Sequence, residues 1–141
     1  MQRAADTIEG VFRNLQILHF AFLISMVLYV WAAEKFIPRP PHVLKLVLPT
    51  TFGLISLWVI GIAISKRRTM IRPAIEKLQM SPDDQNALQR WKIGTILSDT
   101  LVQNVALFGF VLRVIGATPA QSAPFYATGI ALMLIWWPHR P

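Results

Sequence analysis

The sequence predicts an all-α integral membrane protein with four transmembrane helices and both termini in the cytoplasm. Three observations lead to this fold class. Hydrophobic residues make up 54% of the 141-residue chain and charged residues only 15%, whereas a typical soluble domain is roughly 25% charged. The hydrophobic residues gather in four long segments. The 14 basic residues outnumber the 7 acidic ones, and most of them fall on one side of the predicted topology.

The same composition excludes several classes of protein. A mean hydropathy of +0.47 excludes a soluble enzyme, a disordered tail and a small secreted domain. The chain has no cysteine, which excludes a disulfide framework, a thiolate metal site and a cysteine nucleophile. We therefore expect one membrane domain over residues 1–141 that is not an enzyme, holds no metal and requires no particular cofactor.

Four segments are long enough to cross about 30 Å of hydrocarbon, which takes roughly 20 apolar residues. The second contains only Lys45 at its edge and the third only Asp99, while the other two hold no formal charge. Helix is the expected state, because every backbone polar group must be satisfied inside a segment in lipid. The first segment is expected to be retained, since Asp6 and Glu9 precede it and no suitable cleavage site follows. The predicted spans are 15–33, 44–65, 93–112 and 120–137.

Charge sets the predicted orientation of these spans. With four crossings, the two termini and the loop between the second and third spans share one side of the membrane. Ten of the 14 basic residues fall on that side, so the positive-inside rule places it in the cytoplasm. This asymmetry, together with the absence of a cleavable signal, is typical of a bacterial inner-membrane protein.

Residues 1–14 form a predicted amphipathic lead-in to the first span. Apolar residues recur in steps of three and four at Ile8, Val11, Phe12, Leu15 and Leu18, and this spacing produces one apolar helical face. Such a face lies on the membrane surface or docks on a partner subunit, and the sequence leaves both interpretations open.

Residues 66–92 form a predicted cytoplasmic helical hairpin between the second and third spans. Pro73 is expected to break or kink its first helix. Ser81-Pro82-Asp83-Asp84 predicts the start of the second helix, because serine caps, proline suits the first position and acids favour the N-terminus. No breaker follows before Gly94, so this helix is expected to continue into the third span. The hairpin is too short to hold a core of its own.

A short turn joins the third and fourth spans. Gly116 fits a helix stop, and Thr118-Pro119-Ala120-Gln121 fits a capping box with proline at the first helical position. Helices joined so tightly are antiparallel neighbours. Small residues spaced four or eight apart allow close helix packing, within the chain or against another subunit. These pairs are Gly53 with Gly61, Gly61 with Ser65, Gly94 with Ser98, and Ala127 with Ala131.

Polar groups inside predicted spans are the candidate functional residues, because burying them in a bilayer is costly. His19 could bind a haem or chlorophyll through a ring nitrogen, or lie near the headgroups without a ligand. Asp99 could carry a proton, or form a structural hydrogen bond that fixes helix register. The topology places His19 and Asp99 near the same side, so they could pair. Gln103 and Asn104 could bond across helices or hold a quinone carbonyl.

A basic cluster of Lys66, Arg67, Arg68 and Arg72 closes the second span. Nucleic-acid binding would require aromatic interleaving or a folded module, and neither is present. We expect these residues to contact anionic lipid headgroups or a partner protein.

Three functions remain open from the sequence. The first is a small non-catalytic accessory subunit of a larger membrane complex, energy-converting or transport-related, whose partners are the bilayer and other membrane subunits. The second is a membrane subunit that binds haem, chlorophyll or quinone through His19. The third is a small homo-oligomeric proton-coupled transporter that uses Asp99.

Overall fold

A computed structural model describes residues 7–37 and 45–141, and these residues form helices and turns with no β-strand. Residues 1–6 of the predicted lead-in and Leu44, the first residue of the second predicted span, lie outside the described residues. A π-helical turn, Arg67–Ile71, joins the second and third helices. The helices are α1 Ile8–Phe36, α2 Val47–Lys66, α3 Arg72–Met80, α4 Gln85–Ile115 and α5 Pro119–Ile135.

Helix α4 is the centre of the molecule. It packs against every other helix, whereas α1 and α2 do not contact each other within the described residues. Both α1 and α2 also contact α5, so the α4–α5 pair lies between them. Close packing of this pair depends on glycine, because a Cβ at Gly109 would lie 2.9 Å from Cβ of Phe125 and one at Gly129 would lie 3.0 Å from Cβ of Ala106.

Two ion pairs mark the ends of the bundle. At one end, Nη2 of Arg140 lies 2.7 Å from Oε1 of Glu9, so the start of α1 and the C-terminal residues meet. At the other end, Nε of Arg113 lies 3.3 Å from Oε1 of Glu34, so the end of α1 lies beside the end of α4. The long helices therefore alternate in direction along the chain.

Three helical segments of the described chain are long and apolar enough to cross a membrane, namely Ile8–Phe36, Val47–Met80 and Gln85–Ile115. The second of these is α2 continued through the π turn and α3. Helix α5 has 17 residues and is therefore about 26 Å long, slightly less than the roughly 30 Å of hydrocarbon. The fourth predicted span, residues 120–137, is shorter as a helix because α5 ends at Ile135, before Trp136 and Trp137.

The amphipathic face of the lead-in has a partner in its own chain. Helix α1 runs without interruption from Ile8, and Val11 and Leu15 are buried in a cluster with residues of the π turn, α3 and α4. The rings of Phe12 and Trp91 stack at 6.5 Å. The lead-in therefore completes the hydrophobic core of the hairpin, because it supplies apolar side chains that the short hairpin does not have itself. The other buried members are Ile71, Ala74, Leu78, Ala87 and Leu88.

The hairpin itself differs from the sequence prediction at the start of its second helix, and it excludes one of the two alternatives at Pro73. Its second helix starts at Gln85 with Asp84 as the N-cap, three residues after the predicted serine cap, because the Asp84 carboxylate accepts from the amides of Asn86 and Ala87. Of the two alternatives predicted at Pro73, a break or a kink, the break does not occur, since helical structure continues through it. Instead, the amide of Arg72 donates to the carbonyl of Arg67, and this widened turn precedes the proline ring.

The predicted connection between α4 and α5 is confirmed. Gly116 ends α4 with a φ of 118°, in the left-handed region that glycine adopts without a steric penalty. Thr118 and Gln121 form the capping box, with Pro119 at the first helical position. The prediction that α4 runs uninterrupted from the hairpin into the third span is also confirmed.

Candidate functional site

A buried polar contact joins α1, α4 and α5. Nδ1 of His19 lies 2.8 Å from Oδ2 of Asp99, and Nε2 of His19 lies 2.8 Å from the carbonyl oxygen of Met133. His19 is 0% exposed and Asp99 1%, so bulk water does not reach either group. The contact therefore ties three helices together at one depth.

Helix geometry supplies the third partner of this contact. Helix α5 ends at Ile135, and the last four carbonyls of a helix have no intrahelical amide to accept from. The carbonyl of Met133 is one of these, and the ring of His19 satisfies it. Asp99 comes from the middle of α4, where its side chain and that of Val102 turn toward the buried interior.

The chemistry of the acceptors fixes the number of protons on the pair. A carbonyl only accepts, so Nε2 of His19 carries a hydrogen and donates it to Met133. One more proton lies between Nδ1 and Oδ2, whether the imidazolium donates to the carboxylate or a protonated Asp99 donates to the neutral ring. The pair is neutral overall in both cases, which avoids an unpaired charge in a low-dielectric interior.

One tryptophan contacts the pair directly, and an arginine that stacks on a second tryptophan lies near it. The rings of Trp137 and His19 meet edge to face, with centroids 5.1 Å apart. Nη1 of Arg67 donates to Oγ of the buried Ser98 at 3.3 Å, next to Asp99 in the chain. The Arg67 guanidinium lies 4.8 Å from the centroid of Trp136, a cation–π distance.

One atom of the site is left without a partner. Oδ1 of Asp99 is buried and has no hydrogen-bond partner among the described residues. A buried unsatisfied carboxylate oxygen is costly, and the positive charge of Arg67 partly offsets that cost because the two groups interact electrostatically. The pair can hold a proton, and it has one free acceptor for another donor.

The two candidate amides, Gln103 and Asn104, lie on different faces of α4. Nε2 of Gln103 donates to Oγ of Ser25 at 3.3 Å and to the hydroxyl of Tyr29 at 3.4 Å. Gln103 therefore bonds across to α1, one turn from Asp99. Asn104 is half-buried on a neighbouring face of α4 and does not belong to the His19–Asp99 contact.

The predicted basic cluster is also divided. Arg67, Arg68 and Arg72 line a groove of about 480 Å³ whose opposite wall includes Leu132 and Trp136. Lys66, the last residue of α2, does not line this groove. The three arginines therefore share one surface near the buried pair.

Arg113, the first residue after the third predicted span, is a second buried charge and is not among the candidates that the sequence indicates. The side chain of Arg113 is 0% exposed, and its Nη1 donates to the carbonyl of Ala117 at 2.8 Å. Together with the Glu34 ion pair, this contact ties α1 to the α4–α5 turn. Glu34 and Arg113 each adjoin the end of a predicted span on the same side, and this placement was the available signal.

No family model matches this chain, and neither a curated protein nor a solved structure matches it significantly. Within residues 7–37 and 45–141, no group of three or more His, Cys, Asp or Glu side chains is placed to hold a metal ion. The function must therefore be argued from the contacts and exposed surfaces of this chain.

Proposed function

We propose that this chain is a small non-catalytic subunit of a larger membrane complex, embedded in a bacterial inner membrane as four spans with both termini in the cytoplasm. Ten of its 14 basic residues lie on the proposed cytoplasmic side. The Glu9–Arg140 contact supports an even number of crossings, since it brings the start of α1 to the C-terminal residues.

The exposed face of α2 is the observation that supports a partner subunit. All of α2 is described, and only Ser56 and Ala63 of its 20 residues are buried. A Cβ built on Gly53 or Gly61 would meet no packed neighbour within 4 Å. These outward glycines differ from Gly109, which packs tightly inside the chain.

Outward glycines favour a protein neighbour over lipid. A glycine lets a second helix backbone approach closely, and this approach provides the van der Waals contact that drives helix association in membranes. Gly53 also opens onto an apolar groove of about 370 Å³ that reaches Phe125 of α5. A transmembrane helix of another subunit is the occupant proposed for this face.

Co-purification tests the proposal. The chain is tagged, expressed in its native membrane and extracted gently, and the accompanying subunits are identified. We expect G53L/G61L to lose those subunits, because leucine side chains would hold a neighbouring backbone away from α2. The control A21L adds a leucine to an exposed position of α1 and should keep them. Retention of all subunits by G53L/G61L would contradict the role of this face.

A proton-coupled homo-oligomeric transporter is a second candidate, supported by the buried hydrogen bond between Nδ1 of His19 and Oδ2 of Asp99 and by Oδ1 of Asp99, which has no partner among the described residues. An ionisable group inside a span is a candidate for proton transfer. The test is proton flux into liposomes that contain the purified chain and a pH-sensitive dye. A transporter should lose this flux in D99N while still inserting, and unchanged flux would reject this candidate.

Haem or chlorophyll binding through His19 receives less support from the geometry. Both ring nitrogens of His19 already have hydrogen-bond partners, at 2.8 Å each. A metal would have to displace Asp99 or Met133 to reach a ring nitrogen. The test is a visible absorption band in the purified protein that His19→Leu removes.

A further inference from the structure

We propose that the groove lined by Arg67, Arg68 and Arg72 binds the phosphate headgroup of an anionic phospholipid, with the acyl chains directed along α2 and α5. Arginine suits this role because its planar fork donates two parallel hydrogen bonds to a phosphate. This inference does not depend on the proposed partner of α2.

The groove is positively charged and favours an anion. Three guanidinium groups line it, and none of its described lining residues is acidic. The nearest buried carboxylate, Asp99, is already paired with His19 at 2.8 Å. An anionic ligand would therefore supply the negative charge that the groove lacks.

On both walls of the groove, apolar residues at a helix end adjoin arginine or tryptophan, and Ile71 and Ile75 add further apolar surface. On one wall, Ile64 in the last turn of α2 is followed by Arg67. On the other, Leu132 in the last turn of α5 is followed by Trp136. Tryptophan and arginine are characteristic of the headgroup region of a bilayer. An amphiphile that carries a phosphate and hydrocarbon matches both kinds of surface, whereas free phosphate would use only the charged part.

Arg67, on one side of the groove, is held in position by contacts within the chain. Arg67 is held by Oγ of Ser98 at 3.3 Å and by the face of Trp136 at 4.8 Å. Arg68 and Arg72 are exposed and can turn toward a headgroup. A positioned arginine loses less side-chain entropy on binding than a free one, so Arg67 forms the fixed part of the site.

Native mass spectrometry tests the proposal on the full chain, purified in a neutral detergent and titrated with phosphatidylglycerol or phosphatidylcholine. We expect one phosphatidylglycerol to be retained more strongly than phosphatidylcholine. Each basic residue near a charged surface contributes about fivefold in affinity, so R68Q/R72Q should weaken phosphatidylglycerol binding about 30-fold. R68K/R72K keeps both charges without the planar fork, and it should restore binding only in part.

The control is R13Q/R90Q, which removes the same charge from exposed positions outside this groove and should leave the affinity within about threefold. Equal weakening by both double variants would overturn the proposal, because binding would then follow net charge. Displacement of the lipid by inorganic phosphate at equal concentration would assign the groove to free phosphate. Co-purification of an acidic protein with the native chain but not with R68Q/R72Q, while lipid binding is unchanged in that variant, would assign the groove to a protein partner.

Discussion

At the residue scale, the His19–Asp99 contact ties α1 to α4 inside the bundle. Removing one partner of a buried pair is far more costly than the pair is favourable, because the remaining polar group is left unsatisfied. Asparagine and leucine are both close to aspartate in shape, but only asparagine can still form a hydrogen bond with His19. We therefore expect D99N and D99L to differ in how much stability they lose.

D99L should destabilise the protein by about 3 to 5 kcal/mol, because Nδ1 of His19 loses its hydrogen bond to the Asp99 carboxylate and stays buried. D99N should cost about 1 kcal/mol or less, since the amide can donate to Nδ1 while Nε2 still donates to Met133. Unfolding titrations with a denaturing detergent would measure both values. The pair H19L/D99L should lose less than the sum of the single changes, by about 1 kcal/mol or more. Equal losses in D99L and D99N would contradict this account.

The sequence identifies His19 and Asp99 as candidates and indicates that they can pair, because both are polar groups at similar depth on the same side. It does not identify Met133, because the contact is made by the backbone carbonyl, and the identity of the side chain does not indicate whether that carbonyl is free. That carbonyl is free only because α5 ends at Ile135, and the exact end of a helix is poorly determined by sequence. The fixed position of Arg67 likewise depends on how α5 ends, since Trp136 follows that end directly.

At the scale of the helices, glycines with the same sequence signature have opposite environments. A Cβ at Gly109 would lie 2.9 Å from Cβ of Phe125 and 3.1 Å from the carbonyl oxygen of Ser122, whereas one at Gly53 would meet nothing within 4 Å. The sequence shows small residues but not which of them face inward, because each predicted span is apolar on all sides.

Gly109→Ala should therefore destabilise the protein by about 1 to 3 kcal/mol through overpacking of α4 against α5. Gly53→Ala should leave stability unchanged or raise it by up to about 1 kcal/mol, since alanine favours helix and has open space there. The same detergent titration would compare them, with A21L as an outward-facing control. A loss of stability in Gly53→Ala as large as that in Gly109→Ala would contradict the assignment of faces.

The stability of the first turn of α4 is expected to depend on pH, because its N-cap, Asp84, is a titratable carboxylate. A hydrogen bond from Lys77, followed by one from the amide of Ala87, lowers the pKa of Asp84 below its ordinary value of 3.8. Because the folded-state pKa is the lower one, the stabilisation by this carboxylate is complete above the ordinary value and is lost as pH falls through the folded-state pKa. Asp84 is therefore expected to hold the first turn of α4 at neutral pH and to release it in acid.

Hydrogen exchange at the amides of Asn86 and Ala87 would test this expectation. Protection, corrected for the intrinsic exchange rate, should fall in the native chain as pH drops from about 6 to about 2. D84N keeps a capping oxygen without the titrating charge, so its protection should change much less over that range. The same acid dependence in D84N as in the native chain would assign the effect to another group.

The sequence determines the helices better than their starts. The capping box at Thr118 is confirmed because both of its side chains and the adjacent proline point to one register. At the hairpin, Ser81 and Asp84 both have good N-cap side chains, and Lys77 favours the second, since its Nζ lies 2.8 Å from the Asp84 carboxylate. A contact between two helices decides that start, and such a contact is not visible in the local sequence.

At the scale of the whole molecule, the number of crossings can be tested with single cysteines, because the native chain contains none. The three exposed positions for this test are S81C, H139C and K35C. A membrane-impermeant thiol reagent should label S81C and H139C from the cytoplasmic side and K35C from the opposite side. Labelling of H139C from the same side as K35C would mean that α5 does not cross, and the four-span proposal would fail.

The most direct test of the central proposal is the mass and subunit content of the native particle after gentle detergent extraction. The chain alone has a mass of 16.0 kDa. We predict a larger particle in which this chain is accompanied by other membrane subunits in fixed stoichiometry. A particle that contains only copies of this chain would contradict the subunit proposal and would favour the transporter candidate that depends on Asp99.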